Sequence, residues 1–218
     1  MPVTSARVKR EPRPRYDLRR DEILDIAVAA FRRRGFAGTS MQDIGRALER
    51  TKGSLYYYFP DKEEILFHCH DRALDRIFQM ARGVRASTRK PAERLRGLIE
   101  GHVALMVHEF HGTALALELS ALGGRRLASV VRRRDEYEQI LRAVIRDGVR
   151  AGIFRPVDPK LAAFAILGSI NWIARWYRPR GGAGADAIGR SFADLHLRAL
   201  LRHPPSGNAG RPPDGARS

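Results

Sequence analysis

The stretch from Thr39 to Glu64 constrains the fold most, because three helix starts fall within 26 residues. Thr39 followed by Gln42 fits a capping box, so Thr39 or Ser40 opens a short helix. Thr51 caps a second short helix, and another capping box begins a third helix directly after it. Two short helices joined by a tight turn and followed at once by a third predict a small domain of mutually packed helices.

The second short helix, from Lys52 to Phe59, has distinct apolar and polar sides. Leu55 and Phe59 are four residues apart and therefore share one side, which faces a core. Three consecutive residues spread over about 300° of a helix, so the aromatic run Tyr56 to Tyr58 cannot all face inward. Tyr58 and Phe59 contribute to packing. Five residues are predicted to face outward, towards a partner: Lys52, Gly53, Ser54, Tyr56 and Tyr57.

These residues carry a resemblance. Thr39-Ser40, the triplet Asp43 to Gly45 and the run GSLYYYFPDKEEIL from Gly53 to Leu66 resemble the DNA-binding domain of the TetR family of bacterial transcriptional regulators, over about residues 19–66. The resemblance implies a helix-turn-helix whose second helix enters the major groove as half of a symmetric dimer.

The same resemblance implies roles for individual residues. Base edges are read by Lys52, Gly53 and Ser54, next to the cap residue Thr51, and phosphates are contacted by Tyr56, Tyr57 and Lys62. The start of the helix that crosses the DNA backbone comprises Thr39, Ser40, Met41 and Gln42.

The turn departs from the family pattern, which usually places glycine between two apolar residues. This chain has Glu49 there, between Leu48 and Arg50. A residue other than glycine in a left-handed turn conformation costs about 1 kcal/mol. Either Glu49 tolerates this strain or the turn differs.

Both ends of the chain are predicted to be disordered. Residues 1–18 form a basic arm with three prolines and few apolar residues, and residues 204–218 are rich in proline and glycine. The formal net charge of +16 agrees with a polyanionic partner. The arm can lie along DNA or be an inert solvated tail, and both interpretations stay open.

The rest of the chain has helical periodicity without strand-like segments. The predicted fold is all-α, with a three-helix helix-turn-helix domain at 19–66 and a six-helix ligand-binding and dimerisation domain at 67–203. The helix that begins at residue 61 continues to about 83 and links the two. Predicted helices span 19–34, 61–83, 112–122, 125–150, 160–177 and 185–202, with another that begins at Pro91.

The last two helices carry more apolar surface than one thin domain is expected to bury. The helix at 160–177 is apolar nearly all round, which is typical of a core or a subunit interface. The resemblance implies a homodimer held by a four-helix bundle. Its predicted interface comprises Leu161, Phe164, Gly168, Ile188, Phe192 and Leu195. The alternative is an ordinary monomer core.

A second likeness concerns the ligand. The segments Asn171 to Gly182, Pro91 to Leu98 and Gly152 to Pro156 are similar to TetR regulators of lipid and steroid-ring catabolism that respond to acyl-CoA thioesters. Guanidinium and indole groups suited to coenzyme A are Trp172, Arg175, Trp176, Arg178 and Arg180. An acyl cavity is predicted to be lined by Leu105, Met106, Phe110, Leu115, Leu117, Leu141 and Phe164. Alternatively, the indoles are interface core and the arginines a solvated rim.

Other chemistry finds little support. His68, Cys69 and His70 are too close along a helix to converge on one metal, and the set His102, His108, Glu109 and His111 binds one only if neighbouring helices converge. No phosphate loop, nucleophile elbow or paired-carboxylate motif is visible. We therefore expect no cofactor, no metal and no enzymatic activity.

The expected location is the bacterial cytoplasm, at the nucleoid. The single cysteine allows no internal disulfide, and no apolar run approaches 18 residues. The predicted function is a ligand-responsive repressor that binds a palindromic operator as a dimer and is released by a small hydrophobic or acyl-CoA-type effector. Two alternatives remain: a helical enzyme or lipid-binding module, or an architectural DNA-binding protein without an effector.

Overall fold

The computed structural model describes residues 15–49, 52–86, 90–108, 118–178 and 182–202. Eight α-helices and one short 3-10 turn, Glu118–Ala121, account for nearly all of them, and the prediction of an all-α fold is confirmed. The helices are α1 (Arg15–Arg34), α2 (Met41–Ala47), α3 (Lys52–Tyr58), α4 (Lys62–Ala86), α5 (Pro91–His108), α6 (Gly124–Arg150), α7 (Pro159–Trp176) and α8 (Ala185–Leu200).

Two predicted boundaries change. Helix α1 begins four residues early, so 15–18 belong to it and not to the basic arm, because Tyr16 packs its ring against Tyr58 at 5.1 Å between ring centroids. The helix predicted at 112–122 is represented by the 3-10 turn alone, since 112–117 lie outside the described residues. Residues 1–14 and 203–218, which hold the rest of the predicted arm and tail, lie outside them too.

Of the two residues predicted to open α2, Ser40 is the cap, and the capping box predicted for Thr39 with Gln42 is wrong. Ser40, not Thr39, is the N-cap: its hydroxyl accepts from the Asp43 amide at 3.1 Å, and the Asp43 carboxylate accepts from the Ser40 amide at 2.9 Å. Thr39 is buried, and its hydroxyl donates to the carbonyl of Gly35 at 2.8 Å. The true capping box is therefore Ser40 with Asp43.

The two turns that frame α2 use the left-handed backbone region. Gly35 ends α1 with φ of 71°, as predicted, and needs no side chain there. Glu49 has φ of 53°, so the departure from glycine is accommodated as strain in the turn.

Two hydrophobic clusters divide the molecule. The N-terminal cluster joins α1 to the first half of α4 and is completed by Leu122 and Val130 from the C-terminal part of the chain. The C-terminal cluster is built around α5, which packs against α4, α6, α7 and α8. No helix in the described segments is long and apolar enough to cross a bilayer.

Polar contacts tie the N-terminal domain to the rest. The Glu118 carboxylate accepts from the Phe36 amide at 2.9 Å, and the Arg126 guanidinium contacts Asp61 at 3.2 Å and Glu64 at 2.7 Å. We call these contacts the interdomain clamp. Each ion pair contributes little alone. Together the contacts link the loop before α2 to the 3-10 turn, and the start of α4 to α6.

Candidate DNA interface and ligand cavity

Helix α3 presents part of the outward side predicted from the sequence, and Ser54 of that side is half-buried. Leu55 and Phe59 are fully buried, whereas Tyr56 and Tyr57 are 42% and 73% exposed. Gly53 is exposed, and a Cβ added to it would meet nothing within 4 Å. No packing within the described protein therefore requires glycine there. Lys52 begins the helix and Thr51 lies outside the described residues.

The exposed tyrosines are supported from within the domain. Tyr57 lies edge-on to Tyr58 at 5.1 Å and edge-on to Tyr16 at 6.0 Å between ring centroids. Tyr58 itself is half-buried, as predicted from its contribution to packing. These contacts limit the positions that the Tyr57 ring can adopt, so that its hydroxyl is presented in a restricted orientation.

The start of α2 divides into inward and outward residues. Thr39 and Met41 are buried, at 1% and 8% exposure, so their side chains do not reach a DNA surface. Ser40 and Gln42 are exposed. Only two of the four residues predicted at the start of this helix are therefore available to a partner, because the helix turns its other side into the core.

Lys62, for which a phosphate contact is predicted, is held by the backbone of its own chain. Its ammonium group donates to the carbonyls of Phe36 at 2.6 Å and Thr39 at 2.7 Å, and it lies 4.2 Å from the centroid of the Phe36 ring. Partial burial lowers its pKa. The side chain thus links the start of α4 to the loop before α2.

Two arginines on this surface were not singled out from the sequence. Arg34 and Arg46 converge on Asp43, at 3.4 and 2.6 Å, while their side chains remain 63% and 70% exposed. Hydrogen bonds from Ser40, together with the Arg46 guanidinium, lower the pKa of Asp43 to about 2. Both cations lie beside the exposed start of α2; the position of Arg46 on the predicted crossing helix was the available signal in the sequence.

A cavity of about 110 Å³ lies between α4, α5, α6 and α7. Its polar lining comes from His70, His102, Arg134, Tyr137 and Asn171. Its apolar lining includes Leu74, Ile77, Met106 and Leu167. An apolar enclosure with a few convergent polar groups is the usual form of a small-molecule site.

Three polar atoms at this cavity are buried without a hydrogen-bond partner in the described part of the chain: Nε2 of His70, Nδ1 of His102 and the Tyr137 hydroxyl. Burial, with the nearby Arg134 charge, lowers the pKa of each histidine to about 4. Burial raises the pKa of Tyr137 and lowers that of Arg134. At neutral pH the cavity therefore holds two neutral imidazoles, a phenol and one cation.

The predicted acyl lining agrees only in part. Met106 lines the cavity, whereas Leu105 and Leu141 pack in the C-terminal cluster. Phe164 is wrong as a cavity residue, because it is 47% exposed on the outer side of α7, between the Arg142 and Lys160 side chains. Phe110, Leu115 and Leu117 lie outside the described residues.

The arginine and tryptophan cluster lies at the exposed end of α7. Trp172 and Trp176 are 62% and 44% exposed, and Arg175 is exposed as well. Arg178 donates to the Tyr177 carbonyl at 3.0 Å, and Arg180 lies outside the described residues. None of the described members lines the cavity, although Arg175 continues the helical stripe of Leu167 and Asn171, which do.

The outer side of α7 and α8 exposes an apolar face. Leu161 and Leu195 are each 65% exposed, Phe164 and Gly168 are also exposed, and Phe192 is half-buried. Ile188 is the exception among the residues predicted for a subunit interface. It is 5% exposed and packs in the C-terminal cluster of its own chain, although it lies seven residues before Leu195 and therefore on the same side of α8.

The histidine and cysteine run does not converge. His68 contacts Glu64 at 3.1 Å, while Cys69 and His70 are buried on other sides of α4, and burial raises the Cys69 pKa to about 12. Within the described segments no three His, Cys, Asp or Glu residues are grouped to hold a metal ion. Two members of the second set, residues 109 and 111, lie outside those segments.

Two family models match the chain. The model for bacterial regulatory proteins of the tetR family matches residues 23–69, and the tetracyclin repressor-like C-terminal domain matches residues 88–200. The chain is also similar to the HTH-type transcriptional repressor KstR2 of Mycobacterium tuberculosis (strain H37Rv). The two are 30% identical over 191 residues, which cover 84% of this chain and 94% of that protein.

Solved structures give the same picture. The ketosteroid transcriptional regulator KstR2 of Mycobacterium tuberculosis has a TM-score of 0.76 at 30% identity, with 85% of this chain and 96% of that chain covered. The TetR family regulator PfmR from Thermus thermophilus has 0.77 at 34%, with 84% and 100% covered. AibR in complex with isovaleryl coenzyme A and operator DNA has 0.74 at 29%, with 84% and 98% covered.

Proposed function

Because the chain belongs to the TetR family of bacterial transcriptional regulators, we propose that it is a repressor that binds a palindromic operator as a homodimer and leaves it when an effector binds. Family membership makes it a transcriptional regulator and not an enzyme. The observation that carries the proposal is the outward side of α3. It exposes Gly53, Tyr56 and Tyr57, while Leu55 and Phe59 on the other side are buried in the core.

In the proposed complex α3 lies in the major groove. Lys52, Gly53 and Ser54 read base edges at the start of the helix, as the family resemblance implies, and the open space around Gly53 allows its backbone to approach DNA closely. Tyr56 and Tyr57 contact phosphates. Contacts to phosphates position the domain on the duplex without specifying sequence. The exposed residues around α2 that make them are Ser40, Gln42, Arg34 and Arg46.

The proposed dimer uses the exposed apolar face of α7 and α8. Reading a palindrome needs two recognition helices about 34 Å apart, which requires two copies of the domain in fixed geometry. Leu161, Phe164 and Leu195 supply apolar surface, and Gly168, with open space around it, permits close approach of a second helix. A large exposed apolar face is typical of an interaction site.

The proposed effector is a small hydrophobic or acyl-CoA-type molecule. Support comes from AibR, which has been solved with isovaleryl coenzyme A, and from the exposed Arg175, Trp176 and Arg178 at the end of α7. Guanidinium groups suit phosphates, and an indole suits adenine stacking. An effector acts only through its different affinities for the two states of the protein, typically by about 1 to 3 kcal/mol.

The proposed coupling runs from the cavity to α3 through α4 and α6. His70 and Leu74 of α4 line the cavity, and α4 begins directly behind the recognition helix. Through the interdomain clamp, α6 holds the first turn of α4. A tilt of α4 would change the distance between the two α3 helices of a dimer. The proposed place of action is the cytoplasm, at the nucleoid, where the operator lies.

One experiment tests the proposal in two stages. Sedimentation velocity and operator-binding anisotropy are measured for the wild type, for Leu195→Arg and for the matched control Val131→Arg on α6. Both residues are exposed, so both variants fold, but only Leu195→Arg places a charge in the proposed interface and is expected to give monomers with weak operator binding. An intact dimer from Leu195→Arg places the interface elsewhere.

The second stage adds CoA thioesters to the operator complex. We expect operator affinity to fall about 5- to 150-fold. Arg175→Ala together with Arg178→Ala should weaken this response and leave effector-free operator binding unchanged, whereas Arg198→Ala, an exposed arginine on α8, should change neither. If no thioester alters operator binding, the acyl-CoA class is wrong while the repressor assignment stands.

A further inference from the structure

We propose that the cavity between α4, α5, α6 and α7 binds the carboxylate of a small apolar acid, with the Arg134 guanidinium as its counter-charge. The inference deepens the proposed function, because it names the chemistry of a molecule that the regulator would sense. It rests on that function only for the effect on operator binding, and not for the binding itself.

The first observation is that Arg134 has no counter-ion among the residues that the structure describes. Across the described residues no carboxylate lies within 4 Å of its guanidinium, although its neighbour Asp135 influences it through charge. Other half-buried arginines of α6 differ, since Arg133 is paired with Asp71 and Asp75, and Arg142 with Glu138. A partly buried cation without a counter-ion is unfavourable, and an anion in the adjoining cavity would relieve that cost.

The second observation is the set of unpartnered polar atoms around the same cavity. His70, His102 and Tyr137 come from three different helices and are each less than 9% exposed. A buried donor or acceptor without a partner costs about 1 to 3 kcal/mol. Neutral imidazoles and a phenol can each donate one hydrogen bond. One cation and several donors around one space suit the two oxygens of a carboxylate.

The size and walls of the cavity limit the rest of the molecule. The remaining lining is apolar, from Leu74, Ile77, Met106 and Leu167, and therefore suits a hydrocarbon body. A cavity of about 150 Å³ holds benzene. The present cavity, at about 110 Å³, suits a short alkyl chain or one end of a longer molecule.

A neutral ligand and a thioester are the competing occupants. A primary amide matches the shape of a carboxylate but carries no charge to offset Arg134. A CoA thioester offers a neutral carbonyl in the cavity and places its charges outside it, near Arg175. Comparison of acid, amide and thioester on the same carbon skeleton therefore separates the three.

The test is calorimetry of the full-length protein with butanoate, pentanoate, hexanoate and benzoate, each paired with its primary amide and its CoA thioester. We expect at least one acid to bind and its amide to bind at least about tenfold more weakly. Arg134→Gln should weaken binding of the acid about 10- to 100-fold, while Arg132→Gln, whose side chain is 72% exposed on the same helix, should leave it unchanged.

A second readout separates loss of the site from loss of the fold. Without ligand, Arg134→Gln should melt at the same temperature as the wild type or higher, because the substitution removes a partly buried charge that has no counter-ion. The thermal shift that the acid produces in the wild type should disappear in this variant. A lower melting temperature without ligand would show that Arg134 is a structural residue and would overturn the inference.

The remaining outcomes are equally decisive. Equal binding of acid and amide, or undiminished acid binding by Arg134→Gln, overturns the carboxylate assignment. Binding of thioesters without any free acid overturns it too, but leaves the proposed regulator intact. Conversely, an acid that binds through Arg134 without changing operator affinity upholds the cavity inference and counts against the proposed effector response.

Discussion

Buried or half-buried polar side chains surround Lys62 in the DNA-binding domain and Arg134 at the cavity, and these two polar neighbourhoods differ in their hydrogen bonds. In the first, the ammonium group of Lys62 and the hydroxyl of Thr39 both donate to backbone carbonyls at the end of α1 and in the loop that follows it. In the second, His102 and Tyr137 leave polar atoms without partners, and Arg134 has no carboxylate within 4 Å in the described segments.

The difference separates polar groups that hold a fold from polar groups that serve a partner. Groups of the first kind are saturated by their own chain, so their removal destabilises the protein. Groups of the second kind weaken the protein when no ligand is bound, so their removal is harmless or stabilising. Whether a buried polar residue has all its hydrogen bonds therefore indicates its role better than its residue type does.

The largest expected effect concerns acid stability of the cavity neighbourhood. The unfolded-state pKa of histidine is near 6.5, whereas burial lowers that of His70 and His102 to about 4. The unfolded chain therefore binds more protons as the pH falls below 6.5. From pH 7.5 to 5, each histidine should reduce the free energy of unfolding by about 2 kcal/mol, or about 4 kcal/mol together.

Urea denaturation of the wild type and of His102→Gln at both pH values measures the contribution of one histidine. The variant should lose about 2 kcal/mol less than the wild type over this range. If the two proteins lose the same amount, His102 is not held neutral in the folded state, and the contrast between the two neighbourhoods fails on this side.

The next effect concerns the saturated neighbourhood. Lys62→Met removes both hydrogen bonds of the ammonium group and should destabilise the protein by about 2 kcal/mol, because two partly buried carbonyls lose their donor. The control Lys90→Met, at an exposed lysine before α5, should stay within about 0.5 kcal/mol. If Lys62→Met is stable and its operator affinity depends less on salt than that of the wild type, the result would support the phosphate contact that the family resemblance implies.

The smallest effect compares two buried hydroxyls directly. Thr39→Val breaks the bond to the Gly35 carbonyl and should cost about 1 kcal/mol, whereas Tyr137→Phe removes a hydroxyl without a partner and should be neutral or slightly stabilising. Chemical denaturation at neutral pH measures both. A cost for Tyr137→Phe equal to that for Thr39→Val would erase the distinction drawn between the two neighbourhoods.

Local patterns predicted the DNA-binding domain well. The apolar pair Leu55 and Phe59 and the glycine that ends α1 follow from spacing and backbone preferences within a few residues, whereas the sequence left open whether Glu49 is strained or the turn differs. The cap was narrowed only to Thr39 or Ser40, because both residues carry hydroxyls, and the capping box was assigned to the wrong one of the two. Only the depth of the loop decides which of them turns inward, and a periodic pattern does not contain that depth.

A cavity was predicted, but of the predicted lining that the structure describes only Met106 was right and the polar residues were missed, because distant residues that helix packing brings together make it. His70, His102 and Tyr137 stand on three helices, and each histidine looks like an ordinary member of an apolar stripe in the sequence. The same limit affected Ile188, which shares one side of α8 with the exposed Leu195, so that only the packing of the helix against its neighbours shows that Ile188 is buried. Residues that meet through tertiary packing leave no short-range signal.

The interdomain clamp bears on how freely the DNA-binding domain can be moved between proteins. In the DNA-binding domain, the backbone amide of Phe36 donates to Glu118, and Leu122 and Val130 complete the hydrophobic cluster. The stability of the domain therefore depends on a segment that lies far along the chain. A fragment cut after α4 would expose the amide and the cluster. Chimeric regulators built from this chain should therefore exchange residues 15–86 together with 118–130, so that the DNA-binding domain keeps the residues that stabilise it.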